Sequence, residues 1–327
     1  MTNDPRTRLL RLACGYMITQ AIGVAVRLGI PELVSERARP SADLAAAVDA
    51  DADSLRRLLR TLAAVGVFVE RDGLISHTEM SELLCSDVPG SFAAQALLFS
   101  GVHYETWGAA VDAFRTGQPT FSTVFGSPFF DWLGEHPEDA AIFNAAMAGG
   151  AVVRRARLLT RDWSGVSTIV DVGGGIGTTL LPLLEQQTAL TGIVFDLPYV
   201  GQEAKRTIEQ AGLSDRCSFV GGSFFDGVPA GADVYAMAAI LHDWDDEAAS
   251  SILRSVHSAM QPDSRLVLLE SVIGAVNEPD NAKFLDLHML VALGGKERDE
   301  SEWRDLLSSN GFSTVHIESG LIEAVPG

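Results

Sequence analysis

The sequence predicts an α/β protein: a C-terminal domain on a mostly parallel sheet, preceded by a largely helical N-terminal domain. Three observations carry that prediction. From Asp162 onward the apolar runs "STIVDVGGG", "GIVFDLP", "CSFVGG", "DVYAMAAIL" and "RLVLLES" alternate with helical stretches, the pattern of a parallel sheet covered on both faces. Residues 41–80 hold two segments of helical period, "SADLAAAV" and "SLRRLLRTLAAVG", followed by the hairpin pattern "VFVERDGLISHT". The chain has 327 residues, more than one core usually organises, so at least two domains are expected. The boundaries read from pattern are 1–95, a helical connecting region 96–160, and 161–327.

The elements follow in chain order. Arg6, Arg8 and Arg11 precede the uncharged stretch Leu12–Val26, which superficially resembles a secretion signal. It contains Thr19 and Gln20, is too short to span a bilayer, and runs into Arg27; a buried helix is expected instead. In residues 41–80 a serine opens each helical segment as an N-cap, Gly66 stops the second, and Asp72-Gly73 supplies the hairpin turn. Two helices and a hairpin make a winged-helix pattern. The seven acids Asp43, Asp49, Asp51, Asp53, Glu70, Asp72 and Glu79 face four arginines there, a poor surface for phosphates, so dimerisation is expected in place of DNA binding. Residues 91–160 read as helical and aromatic, interrupted by the turn-like "RTGQPTFSTVFGSP". A formal charge of −19 argues against nucleic acid or anionic membrane as partner. Cys14, Cys85 and Cys217 are far apart, as expected of reduced thiols in the cytoplasm.

"IVDVGGGIG", residues 169–177, is a strand opening into glycines before the helical "TTLLPLL". Without a Cβ, such a turn lets a ligand lie against the backbone. The spacing Asp171-x-Gly173-x-Gly175-x-Gly177 differs from a nicotinamide-dinucleotide fingerprint, whose third glycine would fall on Thr178, and no P-loop Gly-Lys-Ser/Thr follows. Asp196 ends the next apolar run, where a carboxylate can accept both ribose hydroxyls. The pair predicts a nucleoside ligand. "ADVYAMAAIL" reads as the fourth strand of the sheet, and ligands bind beyond the carboxyl ends of such strands, so His242 is expected at the mouth of the site. Asp243, Asp245, Asp246 and Glu247 precede a helical stripe, and most of them are expected to cap it or to favour its dipole.

With these motifs in view, the chain resembles the class I S-adenosylmethionine-dependent methyltransferases, and in particular the plant-type O-methyltransferases and their bacterial natural-product relatives. After the glycine motif, "FDLP", "GGSFFD", "LHDWDDE" and "GGKERDESEW" occur in the family's order, and "TWGAAVDAFRTGQPTF" and "FNAAM" extend the likeness toward the winged-helix region. The resemblance implies a Rossmann-like seven-stranded sheet, S-adenosylmethionine as cofactor, a homodimer formed through the N-terminal domain, and a small aromatic acceptor. His242 with its clustered carboxylates could hold a divalent cation, but adjacent acids at a helix start point in different directions and no second histidine sits at ligand spacing, so no metal is expected. It implies that Gly173 and Gly175 contact the methionine part of the cofactor and Asp196 the ribose, with Phe224 and Trp244 beside the adenine. Ser223 stands where the family often has an adenine-binding Asp, and Ala238 where it often has a long polar side chain. His242 would be the general base, with Glu270 and Glu297 orienting or supporting it; which does which stays open. Phe143, Met147, His288 and Met289 would line the acceptor pocket, His288 replacing a usual apolar residue and favouring an aromatic acceptor with a polar substituent. Only three of 24 basic residues are lysine and alanine is abundant, a bias that suggests a GC-rich bacterial genome and antibiotic-type secondary metabolism. Two other readings remain: N- or C-methylation, hydroxylation or decarboxylation with the same cofactor, and a ligand-sensing winged-helix regulator, which would need a basic face.

Overall fold

The computed structural model describes residues 4–318 and 320–327, and for Val153 the backbone alone. Two compact units interleave in sequence: residues up to Glu105 with Glu138–Gly150, and Thr106–Pro137 with Ala151–Gly327. The segment 96–160, read as one connecting region, is shared between them.

In the N-terminal unit, strands β1 (Arg39–Pro40), β2 (Phe68–Arg71) and β3 (Leu74–His77) form a small sheet in the order β1-β3-β2. Helices Ser41–Ala47 and Ala52–Ala64 precede the hairpin. Leu55, Leu59 and Leu62 recur every third or fourth residue, so one face of the second helix is buried, together with Leu44, Phe68 and Ile75. The turn at Asp72-Gly73 has φ of 52° and 77°, both left-handed, as the tightest hairpin connection requires. The expected serine caps are not formed. Asp51 caps the second helix by accepting the Ser54 amide, and Pro40 occupies the cap position of the first. An aspartate three residues ahead of a serine took the capping position, and an ionised acceptor is the stronger one.

The buried N-terminal helix is also corrected. Pro5–Ala13 and Gly15–Arg27 are separate helices bent by 42°. The first buries nothing, and the second buries only Gly23 and Ala25. Leu9, Leu10, Leu12, Tyr16 and Met17 are exposed, a contiguous apolar strip that the single chain leaves open to solvent. Among the described residues no single helix is long and apolar enough to cross a membrane.

The second unit is built on seven strands: β4 (Thr168–Val172), β5 (Thr191–Asp196), β6 (Cys217–Gly221), β7 (Val234–Ala238), β8 (Arg265–Leu269), and, later in the chain, β11 (Phe312–Glu318) and β12 (Leu321–Pro326). Their order is β11-β12-β8-β7-β4-β5-β6, with β4 to β8 parallel and β12 antiparallel to both neighbours. Two further strands, β9 (Val272–Ile273) and β10 (Arg298–Asp299), form a separate parallel pair. Val170, Val172, Tyr235 and Met237 face one core, with Ile252, Leu253 and Val256 of helix Asp246–Ala259 and with Trp303. Ile169, Val194, Val234 and Ala236 face the other, with Leu180 and Leu184 of helix Leu180–Gln186. Both faces are covered, which is why these strands read as unbroken apolar runs. From β4 the chain steps outward to β5 and β6, then returns to the other side of β4 with β7. That reversal opens a crevice at the carboxyl ends of β4 and β7.

Candidate active site

Gly173 follows β4 directly, with φ of +71°; a Cβ there would lie 2.4 Å from Ile240 Cδ1. Its N–H and that of Gly174 donate to the Phe195 carbonyl at 2.8 and 3.2 Å, tying the turn to the end of β5. Gly175, with φ of +58°, donates to Asp196 Oδ2 at 2.7 Å, and Leu197 N–H donates to Oδ1 at 2.6 Å. Asp196 is thus fixed to the glycine turn. Burial raises its pKa, against these two amide hydrogen bonds. Beneath the turn, Asp171 is buried and neither carboxylate oxygen has a hydrogen-bond partner. Burial, then the Asp196 charge, push it up to about 7. A buried orphan acid under a left-handed glycine turn suits a ligand that brings a positive charge. Open space within 4 Å of the Gly175 Cβ position leaves room for that ligand against the backbone.

An aromatic cluster gathers around Trp244. Trp244 meets Phe224 edge-on at 5.8 Å and Phe225 edge-on at 4.8 Å, and stacks with Phe130 at 5.8 Å. The resemblance points to Phe224 and Trp244; Phe225 and Phe130 join them, and of these only the doubled phenylalanine in "SFFD" offers a signal in the sequence. Ser223 Oγ accepts the Phe225 N–H at 3.2 Å, and its second lone pair remains available to a ligand amine.

β7 ends at Ala238, and Ala239 then takes φ of +57°, a conformation costly for a residue with a Cβ. The kink turns the chain into the short 3-10 segment Leu241–Asp243. His242 is buried there, its Nδ1 at 2.7 Å from Glu297 Oε1 and 3.7 Å from Glu270 Oε2. Glu270 Oε1 accepts the amides of Ile240 and Leu241 at 2.9 and 2.8 Å. Glu270 therefore holds the turn, and Glu297 holds the ring. With Nδ1–H donated to Glu297, Nε2 is the basic nitrogen; Asp243 Oδ1 lies 3.4 Å from it. Burial alone would depress the imidazole, but the Glu270, Asp243 and Glu297 charges outweigh it and push His242 up to about 10. Burial likewise raises Glu270, and raises Asp243 to about 7.

The acids after His242 divide. Asp245 caps helix Asp246–Ala259 through the Ala248 amide, as expected, and Asp246 pairs with Arg298. Asp243 does neither: its mostly buried side chain lies against the imidazole, which the capping expectation missed. His242, Glu270 and Glu297 each offer a ligand atom within 4.8 Å of the others. The 2.7 Å between Nδ1 and Oε1 is a hydrogen-bond distance, shorter than the roughly 3 Å or more that separates two ligands around one zinc-sized ion.

His288 lies buried on helix Asn281–Ala292, and its Nδ1 accepts the Trp107 indole N–H at 3.0 Å. Indole nitrogen only donates, so this His288 nitrogen carries no proton. Burial, then the His242 charge, depress its pKa to about 4. Met289 is buried on the same helix, and its carbonyl accepts the Leu293, Gly294 and Gly295 amides. Phe143 and Met147 sit four apart on helix Pro137–Leu159, in the part of it that belongs to the N-terminal unit.

A glycine turn and an acid-ended strand at a parallel-sheet crevice, with a carboxylate-flanked histidine just past the end of the neighbouring strand, define an α/β protein whose crevice suits a nucleoside. The comparisons with known proteins then narrow it. Residues 107–313 match the family profile described as the O-methyltransferase domain, and residues 10–87 that of the O-methyltransferase dimerisation domain. The chain is 40% identical over 325 residues to phenazine O-methyltransferase PhzM of Lysobacter antibioticus, covering 97% of this chain and 95% of that protein. The crystal structure of LaPhzM superposes with a TM-score of 0.93 at 39% identity over 99% of both chains. NcsB1, an O-methyltransferase from neocarzinostatin biosynthesis solved with S-adenosylmethionine and 2-hydroxy-5-methyl naphthoic acid, gives 0.82 at 33% identity over 94% of this chain and 96% of that one. The protein belongs to the S-adenosylmethionine-dependent O-methyltransferases and carries their dimerisation domain.

Proposed function

We propose that this enzyme methylates a phenolic hydroxyl of an aromatic secondary metabolite, with His242 as general base, Glu297 orienting it and Glu270 supporting it. When bound, S-adenosylmethionine supplies a methyl group activated on a sulfonium. The chain's task is to hold that methyl and an acceptor oxygen in line, roughly 3 Å apart, and to receive the proton. Gly173 and Gly175 offer the turn for the methionine part, Asp171 an acid for its ammonium, and Asp196 the ribose contact. Ser223, Phe224, Ala238 and Trp244 form the adenine side. Phe143, Met147, His288 and Met289 are proposed for the acceptor, whose aromatic character is suggested by the phenazine and naphthoate named for relatives. The dimer is proposed to form through the N-terminal residues 1–95, with 96–160 connecting them to a catalytic 161–327, and the cytoplasm is the proposed setting.

One observation carries the chemistry: the buried His242–Glu297 hydrogen bond of 2.7 Å. A phenol near pKa 10 and a free imidazole near 6.5 differ by roughly 3.5 units, about 5 kcal/mol. The carboxylates that push His242 up to about 10 remove most of that mismatch. His242→Ala is expected to lower kcat by roughly 10²–10⁴-fold with cofactor binding intact. The assay is S-adenosylhomocysteine release over a panel of phenols, carboxylates and amines. Turnover near wild type in that variant, or a preference for amines, would overturn the proposal.

A further inference from the structure

Arg298 has no part in the chemistry above, yet its side chain is wholly buried. It leaves β10 and places a guanidinium behind the 241–244 turn. Nη1 donates to the Leu241 carbonyl at 3.0 Å and to the Lys296 carbonyl at 3.1 Å. Nη2 donates to the Trp244 carbonyl at 3.0 Å and pairs with Asp246 Oδ1 at 2.8 Å, while Nε donates to the same oxygen at 2.9 Å. All five guanidinium N–H groups are thereby used. The cation lies 5.2 Å from the centre of the buried Trp303 ring, a further favourable contact.

The three carbonyls it collects are informative. Leu241 and Trp244 bracket His242 on either side, and Lys296 immediately precedes Glu297. The Leu241 carbonyl accepts only a long backbone bond, from the Trp244 N–H at 3.4 Å, and the rigid fork adds a shorter one there while also taking up the Trp244 and Lys296 carbonyls. The Lys296 amide returns the link by donating to the His242 carbonyl at 2.8 Å. Gly295 touches the same place, since a Cβ on it would lie 2.1 Å from the His242 oxygen.

We propose that Arg298 is a positioning residue that fixes His242, Glu297 and Trp244 as one body, so that the base and the adenine wall are set together. The proposal rests on the reading of His242 as base and Trp244 as cofactor wall. A lysine would keep the charge but present three donors from a single point, and could not span carbonyls on two segments. Arg298→Lys is therefore expected to lower kcat by roughly tenfold to a hundredfold, the penalty of a small misplacement. S-adenosylhomocysteine binding should weaken, and the rising limb of the pH–rate profile should move to lower pH as Glu297 loses its hold on the ring. Asp246→Asn, which alters the half-exposed partner of the fork, should shift the same three readouts in the same direction by less.

These are measured by steady-state kinetics across pH, calorimetric titration with S-adenosylhomocysteine, and thermal melting of the same samples. A purely structural arginine would lower only the melting temperature. The proposal is overturned if folded Arg298→Lys keeps kcat, affinity and pH limb within about twofold of wild type. Should Arg298→Lys fail to fold, an Asp246→Asn enzyme unchanged in all three overturns it instead. His242→Ala in parallel separates the two failures. Turnover indifferent to His242→Ala refutes the base reading and this proposal with it; turnover that needs His242 but ignores Arg298→Lys refutes the clamp alone.

Discussion

Where the glycine turn meets Asp196, the groups facing the crevice are backbone amides set by a single turn. Around His242 they are side chains drawn from positions 242, 270 and 297. The amides of the first arrangement are neutral and already paired, and its cost lies in Asp171, buried beneath them without a hydrogen-bond partner. The second, with Asp243 included, sets three carboxylates around one imidazole, whose charge offsets them only in part, so that Glu270 and Asp243 are pushed toward their neutral forms. Backbone construction gives a durable cradle. Side-chain construction lets neighbouring carboxylates set the protonation of the proposed base.

The largest expected effect tests the side-chain half. Glu297→Gln keeps the shape but loses the charge, and allows the imidazole its wrong tautomer; kcat should fall roughly 10²–10⁴-fold while S-adenosylhomocysteine affinity is retained. Equal losses of kcat and affinity would mean that the two halves are not separable as described.

Next comes the glycine-turn half. Asp171 has its pKa raised from 3.8 to about 7, so folding favours its neutral form. Stability is present at low pH and is lost as pH rises from the unfolded value toward the folded one, by on the order of 4 kcal/mol. Asp171→Asn should therefore raise the melting temperature of the cofactor-free protein at pH 8 while weakening cofactor binding. Melting that is indifferent to this substitution would remove Asp171 from the account.

A third expectation concerns the protonation of His242. Its raised pKa means that the free base is scarce at neutral pH and grows about tenfold per unit, so kcat should climb through pH 8 and 9. A plateau beginning near pH 6.5 would show that the carboxylates do not act on the ring. The smallest effect belongs to Trp107→Phe, which removes one hydrogen bond to His288, worth about 1 kcal/mol; the acceptor KM should rise a few-fold with kcat little changed.

The same contrast governs what could be read in advance. Gly173, Gly175 and Asp196 lie within one strand-turn-helix-strand unit, so their spacing alone pointed to a joined turn, which the Gly175–Asp196 hydrogen bond bears out, and the alternation of apolar runs announced the sheet around it. His242 was legible because strand ends face the crevice. Asp243, Ala239 and Arg298 were not. Asp243 resembles the capping acids beside it, Ala239 gives no sign of a left-handed backbone, and Arg298 looks like part of a surface charge run until its neighbours from 241 to 246 are brought in. The serine caps and the buried N-terminal helix failed for a related reason: local propensity cannot report which competitor wins a cap, or which apolar face the chain leaves uncovered.

The β9–β10 pair has one more consequence. Register aligns Arg298 with Val272, so the stretch carrying His288 and Met289 leaves and returns through adjacent strands, like a drawer on fixed runners. If that stretch lines the acceptor as proposed, its residues can change while the anchoring frame, with Glu270 at one side and Glu297 at the other, stays where it is. On the proposed reading, a change of acceptor then leaves the surroundings of His242 untouched.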